Sequence, residues 1–295
     1  MFKEIIGNNQ IKQTLEASIQ KGILSHSYLF IGIQGIGKKM LAKEFAKNIL
    51  CLEREHKNSC QSCIEFESKN HPDFMEIEPD GNSIKIEQIR FLQKKIQEKP
   101  IISKRKVYII NDSDLMTVEA QNCLLKTLEE PPEFAIIILI GSNENAFLST
   151  IKSRCMILNF QPIEAKQLKQ YMEVHHGLTN ITSNHLTMFQ GSVGKAILLK
   201  DKQADYDNLE KMIGNLNKKD LLEVVSLANS LYQAKDEIFE ILEYINILLL
   251  SHTKENYLYT NCIQIVENTK KRLKQNGNYD MCIDEMVFKM WEELA

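Results

Sequence analysis

Two places in this chain bear on phosphate chemistry, a glycine-rich loop and the end of a neighbouring strand. The stretch Gly32-Ile33-Gln34-Gly35-Ile36-Gly37-Lys38-Lys39 follows a short apolar run, Tyr28 to Ile31, and opens a helical pattern. That is the strand–loop–helix setting a phosphate-binding loop requires. Glycines let backbone N–H groups curl around an anion, Lys38 has the reach for terminal phosphates, and the following helix adds its positive end. The pattern asks for Ser or Thr after the lysine to hold Mg²⁺, and Lys39 stands there. Such a site also needs an acidic pair at the end of a neighbouring strand, one acid for the metal and one to polarise the attacking water. The run Val107 to Ile110 ends instead in Asn111-Asp112. Asn111 carries no charge. Asp112 is a methylene shorter than glutamate, and misplacing a catalytic group by about 1 Å costs on the order of a hundredfold. Slipping the register by one gives Asp112 to the metal but leaves Ser113 where the base belongs. Three polar positions thus depart in one direction, and the expectation is a site without useful hydrolysis. The alternatives are a working ATPase with unusual ligands and a loop that is only a tight strand–helix turn.

A second chemistry is written in cysteine. Cys51-x8-Cys60-x2-Cys63 fits a knuckle-type zinc site, and structural zinc takes four ligands. His56, between Cys51 and Cys60, completes a Cys3His set, with His71 and Glu65 as poorer candidates. Free thiols are the alternative. The total of seven cysteines is odd and no secretory signal precedes them, which reads as thiols or metal ligands rather than disulfides. Cys123, Cys262 and Cys282 lie in helical apolar patterns and read as packing residues, and Cys155 has no base partner.

The elements that must position these groups divide at proline and glycine. All six prolines lie at or before Pro162, and after Gly194 only Gly214 and Gly277 occur, so the C-terminal third reads as all-helical. The first half alternates β-rich runs (Tyr28–Ile31, Phe74–Glu78, Val107–Ile110, Ala135–Ile140, Met156–Phe160) with helical patterns, the signature of a parallel α/β sheet. Beyond Pro162 come three short helical patterns, then longer amphipathic ones with apolar faces from Leu221 to Leu250. Trp291 is expected as a core anchor. A length of 295 residues fits about two domains. The net charge of −3 excludes a generally basic surface. The basic run Lys94-Lys95, Lys99 and Lys104-Arg105-Lys106 is interrupted by Glu98 and reads as a solvated face, with contact to DNA phosphates as the alternative. No apolar run approaches the roughly 20 residues of a membrane span, and a cytoplasmic protein is expected.

Asn122-Cys123-Leu124-Leu125-Lys126-Thr127-Leu128-Glu129-Glu130-Pro131-Pro132, followed by Ser153-Arg154-Cys155, resembles the bacterial clamp-loader ATPases, the AAA+ subunits of the DNA polymerase III holoenzyme. The likeness runs from Ile5-Ile6-Gly7 through Ser25–Phe30 to Gly191–Lys195, about two-thirds of the chain. It implies three parts: an AAA+ α/β domain with a parallel sheet over 1–161 (cysteine insert at about 51–70), a three-helix lid over 162–202, and an all-α collar over 203–295. The motor subunits of that family, gamma/tau, carry Thr after the loop lysine, Asp-Glu at the acidic strand and Arg in the lid. Here those positions read Lys39, Asn111-Asp112 and Gly194. Together with His71-Pro72-Asp73 and Ile77-Glu78-Pro79-Asp80-Gly81, these departures resemble the ring member that does not hydrolyse ATP.

Several expectations follow from the resemblance. Gly32, Gly35, Gly37, Lys38 and Lys39 bind nucleotide weakly or not at all. Arg154, which alone would read as a solvated or helix-capping arginine, acts in trans as an arginine finger at a neighbour's ATP site. The family's zinc module has a fourth cysteine where this chain has Phe66. Implied partners are the gamma/tau and delta subunits in a five-membered ring and, through the complex, the sliding clamp and primer–template DNA. The chain would then be a non-catalytic subunit of a DNA-directed DNA polymerase, a nucleotidyltransferase. A hydrolytically active gamma/tau-like subunit and a stand-alone P-loop phosphotransferase are the rival readings.

Overall fold

The computed structural model describes residues 1–2, 4–53, 59–200, 202–254 and 256–294. Among them the chain forms α1 (Asn9–Lys21), β1 (Ser27–Ile31), α2 (Lys38–Leu50), α3 (Gln61–Glu67), β2 (Phe74–Ile77), α4 (Ile86–Ile96), β3 (Lys106–Ile110), α5 (Val118–Glu129), β4 (Ala135–Gly141), α6 (Ser149–Lys152) and β5 (Met156–Asn159). Helices follow to the end: α7 (Ala165–His176), α8 (Ser183–Phe189), α9 (Val193–Lys200), α10 (Gln203–Gly214), α11 (Leu221–Gln233), α12 (Ile238–His252), α13 (Tyr259–Lys274) and α14 (Tyr279–Leu294). Two compact units result, one of Met1–Tyr171 with Gly191–Lys195, the other of Met172–Gln190 with Ala196–Ala295.

In the first unit all strand pairs are parallel and the order is β2-β3-β4-β1-β5. Parallel strands covered on both faces read as continuous apolar runs, and β1, β3 and β4 are buried at every residue. The edges differ. On β2, Glu76 meets Lys39 and Lys43, and β5 leaves Met156 and Asn159 exposed. Helix α4 buries Ile89, Leu92 and Ile96, a helical stripe, in a core with Leu29, Leu124, Ile137 and Leu139. In open α/β sheets, ligands gather beyond the C-terminal strand ends. The glycine loop after β1, Asn111-Asp112 after β3 and Ser142 after β4 all lie there.

In the second unit α12 is apolar on most faces. It buries Ile238, Ile241, Leu242, Tyr244, Ile245, Leu248 and Leu249 and packs on α8, α10 and α13. An Asp220–Glu223 capping box starts α11, whose Val224, Leu227, Ala228 and Leu231 face inward. Trp291 is half-buried, not the core anchor expected, because its indole N–H must reach the Lys219 carbonyl at 3.1 Å. Among the described residues, no helix is long and apolar enough to cross a membrane.

Candidate functional site

The glycine loop is closed upon itself. Gly37, at φ 96°, starts α2, and the Lys38 ammonium, almost fully buried, folds back to donate to the loop's own carbonyls, Gly32 at 2.5 Å and Ile33 at 2.9 Å. Ser142 Oγ is a third neighbour at 3.4 Å. Burial lowers the Lys38 pKa, opposed by the carboxylates of Asp114 and Asp112. The segment Gly191–Lys195 then seats on the loop. Gly194 N–H donates to Gly35 O at 2.8 Å, and Ser192 Oγ–H donates to Gln34 O at 2.9 Å. Gly35 has φ 76°, and a Cβ there would meet Ser192 Oγ at 2.4 Å; one on Gly194 would meet Gly35 Cα at 2.7 Å. The two glycines are back to back, so the arginine that gamma/tau subunits carry at this point has no room here.

The metal side of the site is taken by salt bridges. Lys39 pairs with Glu76 at 2.8 Å and with Glu78. Burial disfavours its charge, but the hydrogen bonds to the two carboxylates outweigh that and raise its pKa. Asn111 Nδ2 donates to Asp112 Oδ2 at 2.9 Å, and Asp112 sits at φ 46°. Ser113, the base in a slipped register, is fully buried and donates to Ile140 O at 2.8 Å, which removes it from that role. Asp114 also belongs to this site. Its carboxylate accepts Ser142 N–H at 3.1 Å and Asn143 N–H at 3.0 Å, shaping the loop after β4. No local pattern marks it.

Arg154 lies on the turn after α6. Nη1 donates to Thr150 O at 3.0 Å and Ser153 Oγ at 3.2 Å, while Nη2 meets Glu129 Oε1 at 2.7 Å. The arginine therefore has both a helix-end carbonyl to cap and a charged partner in its own chain.

The sulfurs of Cys51, Cys60 and Cys63 lie within 4.8 Å of one another, with Cys51 and Cys60 3.9 Å apart. Two thiolates on one tetrahedral zinc are about 3.8 Å apart, given Zn–S near 2.3 Å, and the Cys51–Cys60 pair has that spacing. Burial and its neighbouring thiols push the Cys63 thiol up. His56 lies outside the described residues. Phe66 packs on Phe74 with ring centres 4.6 Å apart. Glu65 is half-buried and accepts from Gln61 at 2.9 Å.

His71 is excluded as a ligand because both ring nitrogens are engaged. Nδ1 accepts Asp73 N–H at 3.0 Å, so the neutral ring carries its proton on Nε2, 2.9 Å from Ser62 Oγ. Ser62 and Ser103 both donate to Leu50 O, at 2.8 and 2.7 Å. The group resembles a Ser–His dyad, but the imidazole is a donor to the serine and cannot act as its base. The same logic applies in the second unit. His185 Nε2 lies among the carboxylates of Asp207 and Glu210, but Nδ1 accepts Thr182 N–H at 3.3 Å. Nε2 is thus a proton donor facing Asp207 at 3.7 Å rather than a metal ligand.

The basic run is largely engaged. Lys106 is a buried residue of β3 near Glu98, Lys95 pairs with Glu98 at 2.9 Å, and Arg105 donates to Glu133 O at 2.9 Å. Lys94, Lys99 and Lys104 remain exposed. Of the packing cysteines, Cys262 and Cys282 are buried, and Cys123 is half-buried with its thiol 3.3 Å from Gln93 Oε1. Burial pushes the Cys155 thiol up to about 12, which leaves it unreactive at neutral pH.

A parallel sheet in this order, a phosphate-type loop after its first strand and a following helical region define an AAA+-like fold. The same fold is seen in a DNA polymerase III gamma subunit-related protein of Thermotoga maritima, at 19% identity with a TM-score of 0.51, covering 95% of this chain and 99% of that one. The chain belongs to the family described as DNA polymerase III, delta subunit, whose sequence model matches residues 7–164. It is 41% identical over 184 residues to DNA polymerase III subunit delta' of Bacillus subtilis (strain 168), covering 59% of this chain and 56% of that protein. It is 30% identical over 234 residues to subunit tau/gamma of Haemophilus influenzae, covering 73% of this chain and 34% of that protein. The match spans little more than half the length of the delta' relative and about a third of the tau/gamma one.

Proposed function

We propose that this chain is the delta-prime member of a bacterial clamp loader, a non-hydrolysing AAA+ subunit that helps place the sliding clamp on primed DNA. Gamma/tau and delta subunits complete the ring, the clamp and primer–template are met through the complex, and the setting is cytoplasmic. Arg154 serves the ATP site of a neighbouring motor subunit. The observation that carries the reading is the loop turned on itself: Lys38 holds Gly32 and Ile33, and Gly194 holds Gly35. A lysine occupied by its own carbonyls is not presented to a terminal phosphate, and the Lys39–Glu76–Glu78 group replaces a hydroxyl ligand for Mg²⁺. In this reading residues 1–161 form the AAA+ part, 162–202 the lid and 203–295 the collar. The exposed Leu222 and Leu250 suit a collar surface. The isolated chain with ATP and Mg²⁺ is expected to release no phosphate above a blank. Phosphate release abolished by Lys38→Ala would instead make it a gamma/tau-like motor.

Zinc belongs to the same proposal. Cys51, Cys60 and Cys63 would hold it, with His56 as the fourth ligand in place of the family's cysteine, and it would brace the insert between α2 and β2 without a chemical role. Chain purified without chelator should carry close to one zinc, lost in Cys63→Ser. Less than ~0.2 per chain in the unaltered protein would end this part of the reading.

A further inference from the structure

Arg154 cannot serve a neighbour while its guanidinium is held at home, and the identity of its charged partner matters. Two of its contacts are local. Thr150 O, in the four-residue α6, also accepts Ser153 Oγ–H at 3.1 Å, and Ser153 is the adjacent residue. The third comes from another element, Glu129 at the last turn of α5, where Pro131-Pro132 ends the helix. A carboxylate and a phosphate present the same kind of paired oxygens to a guanidinium fork. The pair is wet, with side chains 33% and 48% exposed, so exchanging one anion for another buries no orphan charge.

We propose that Glu129 is a positioning residue for Arg154. It holds the guanidinium against its own subunit until a nucleotide phosphate presented by the adjacent subunit takes the place of the carboxylate. This rests on the trans-acting reading of Arg154 given above. Without a neighbour the arginine stays turned in on Glu129. With ATP next door, the more highly charged phosphate wins the fork and Glu129 is released to solvent.

The test uses the full loader reconstituted with four versions of this chain: unaltered, Glu129→Gln, Arg154→Ala and both together. Glu129→Gln keeps the shape and removes the competing charge. It should raise kcat/KM for ATP roughly two- to fivefold, what an exposed ion pair supplies, through a lower KM with kcat unchanged. The gain should vanish at high salt, which screens the pair, and should be absent in the Arg154→Ala background. An unchanged or lowered kcat/KM in Glu129→Gln, while Arg154→Ala is slow, would overturn the role of Glu129 alone. The same gain in both backgrounds would also overturn it, since Glu129 would then act by another route. An Arg154→Ala loader as fast as the unaltered one would remove the trans-acting reading and this proposal with it.

Discussion

A loader reconstituted with Arg154→Ala is expected to hydrolyse ATP roughly 10³-fold more slowly at the site beside this subunit, the lower end of what arginine fingers supply. A guanidinium placed against the γ-phosphoryl oxygens meets the charge that grows there in the transition state, and its loss leaves that charge to water. The effect is confined to the served site. Single-turnover measurements should therefore lose one site's share of the fast phase while the other sites keep theirs. Assembly followed by gel filtration should not change. The contacts Arg154 makes at home, to Thr150 O, Ser153 Oγ and Glu129, are half-exposed, and their loss costs less than about 1 kcal/mol. Arg154→Lys should recover little, because an ammonium keeps the charge but not the planar fork. Undiminished fast-phase amplitude in Arg154→Ala would sink the trans-acting role.

The second large effect is on stability. Asp73 is 1% exposed, and its carboxylate accepts three backbone N–H groups: Ile101 at 2.7 Å, and Ile102 and Ser103 at 2.8 Å each. The loop before β3 is built around that one side chain, and Asp73 N–H in turn orients His71 on Ser62. Hydrogen bonds to a charged acceptor contribute about 1.5–3 kcal/mol each and do not add fully. Asp73→Ala should destabilise the first unit by about 3–5 kcal/mol, because three donors lose a charged acceptor, the Ser103 N–H in a buried position. Asp73→Asn should cost less, since its remaining oxygen still accepts two of the three. The chain has a single tryptophan, Trp291, in the second unit. Its emission follows that unit, whereas far-UV circular dichroism follows both. The urea midpoint by circular dichroism should fall more than the midpoint by Trp291 emission. An unmoved far-UV midpoint would show that the three bonds contribute nothing net.

Sequence determined what is local in this protein. The glycine spacing before Lys38, the departures at Lys39 and Asn111, the run from Asn122 to Pro132 and the Ser153-Arg154-Cys155 turn are contiguous. Strand runs and helical stripes such as Ile89, Leu92 and Ile96 repeat with a fixed period that backbone geometry imposes. The His71-Pro72-Asp73 triplet was visible as a motif, but its work as a hydrogen-bonded brace was not. That work depends on Ser103, 30 residues beyond Asp73. Only the tertiary structure decided the partners. Gln34 meets Ser192 across 158 positions, Lys38 lies near Ser142 across 104, and Arg154 finds Glu129 on a different helix. The physical reason is that a buried donor or acceptor must be satisfied by whatever the packed chain brings within about 3 Å. The sheet order, not the neighbouring sequence, determines what that is. The result for the glycine loop is a phosphate cradle by composition whose lysine and mouth are occupied by the chain's own backbone, while the arginine at Ser153-Arg154-Cys155 is paired with Glu129 of its own chain.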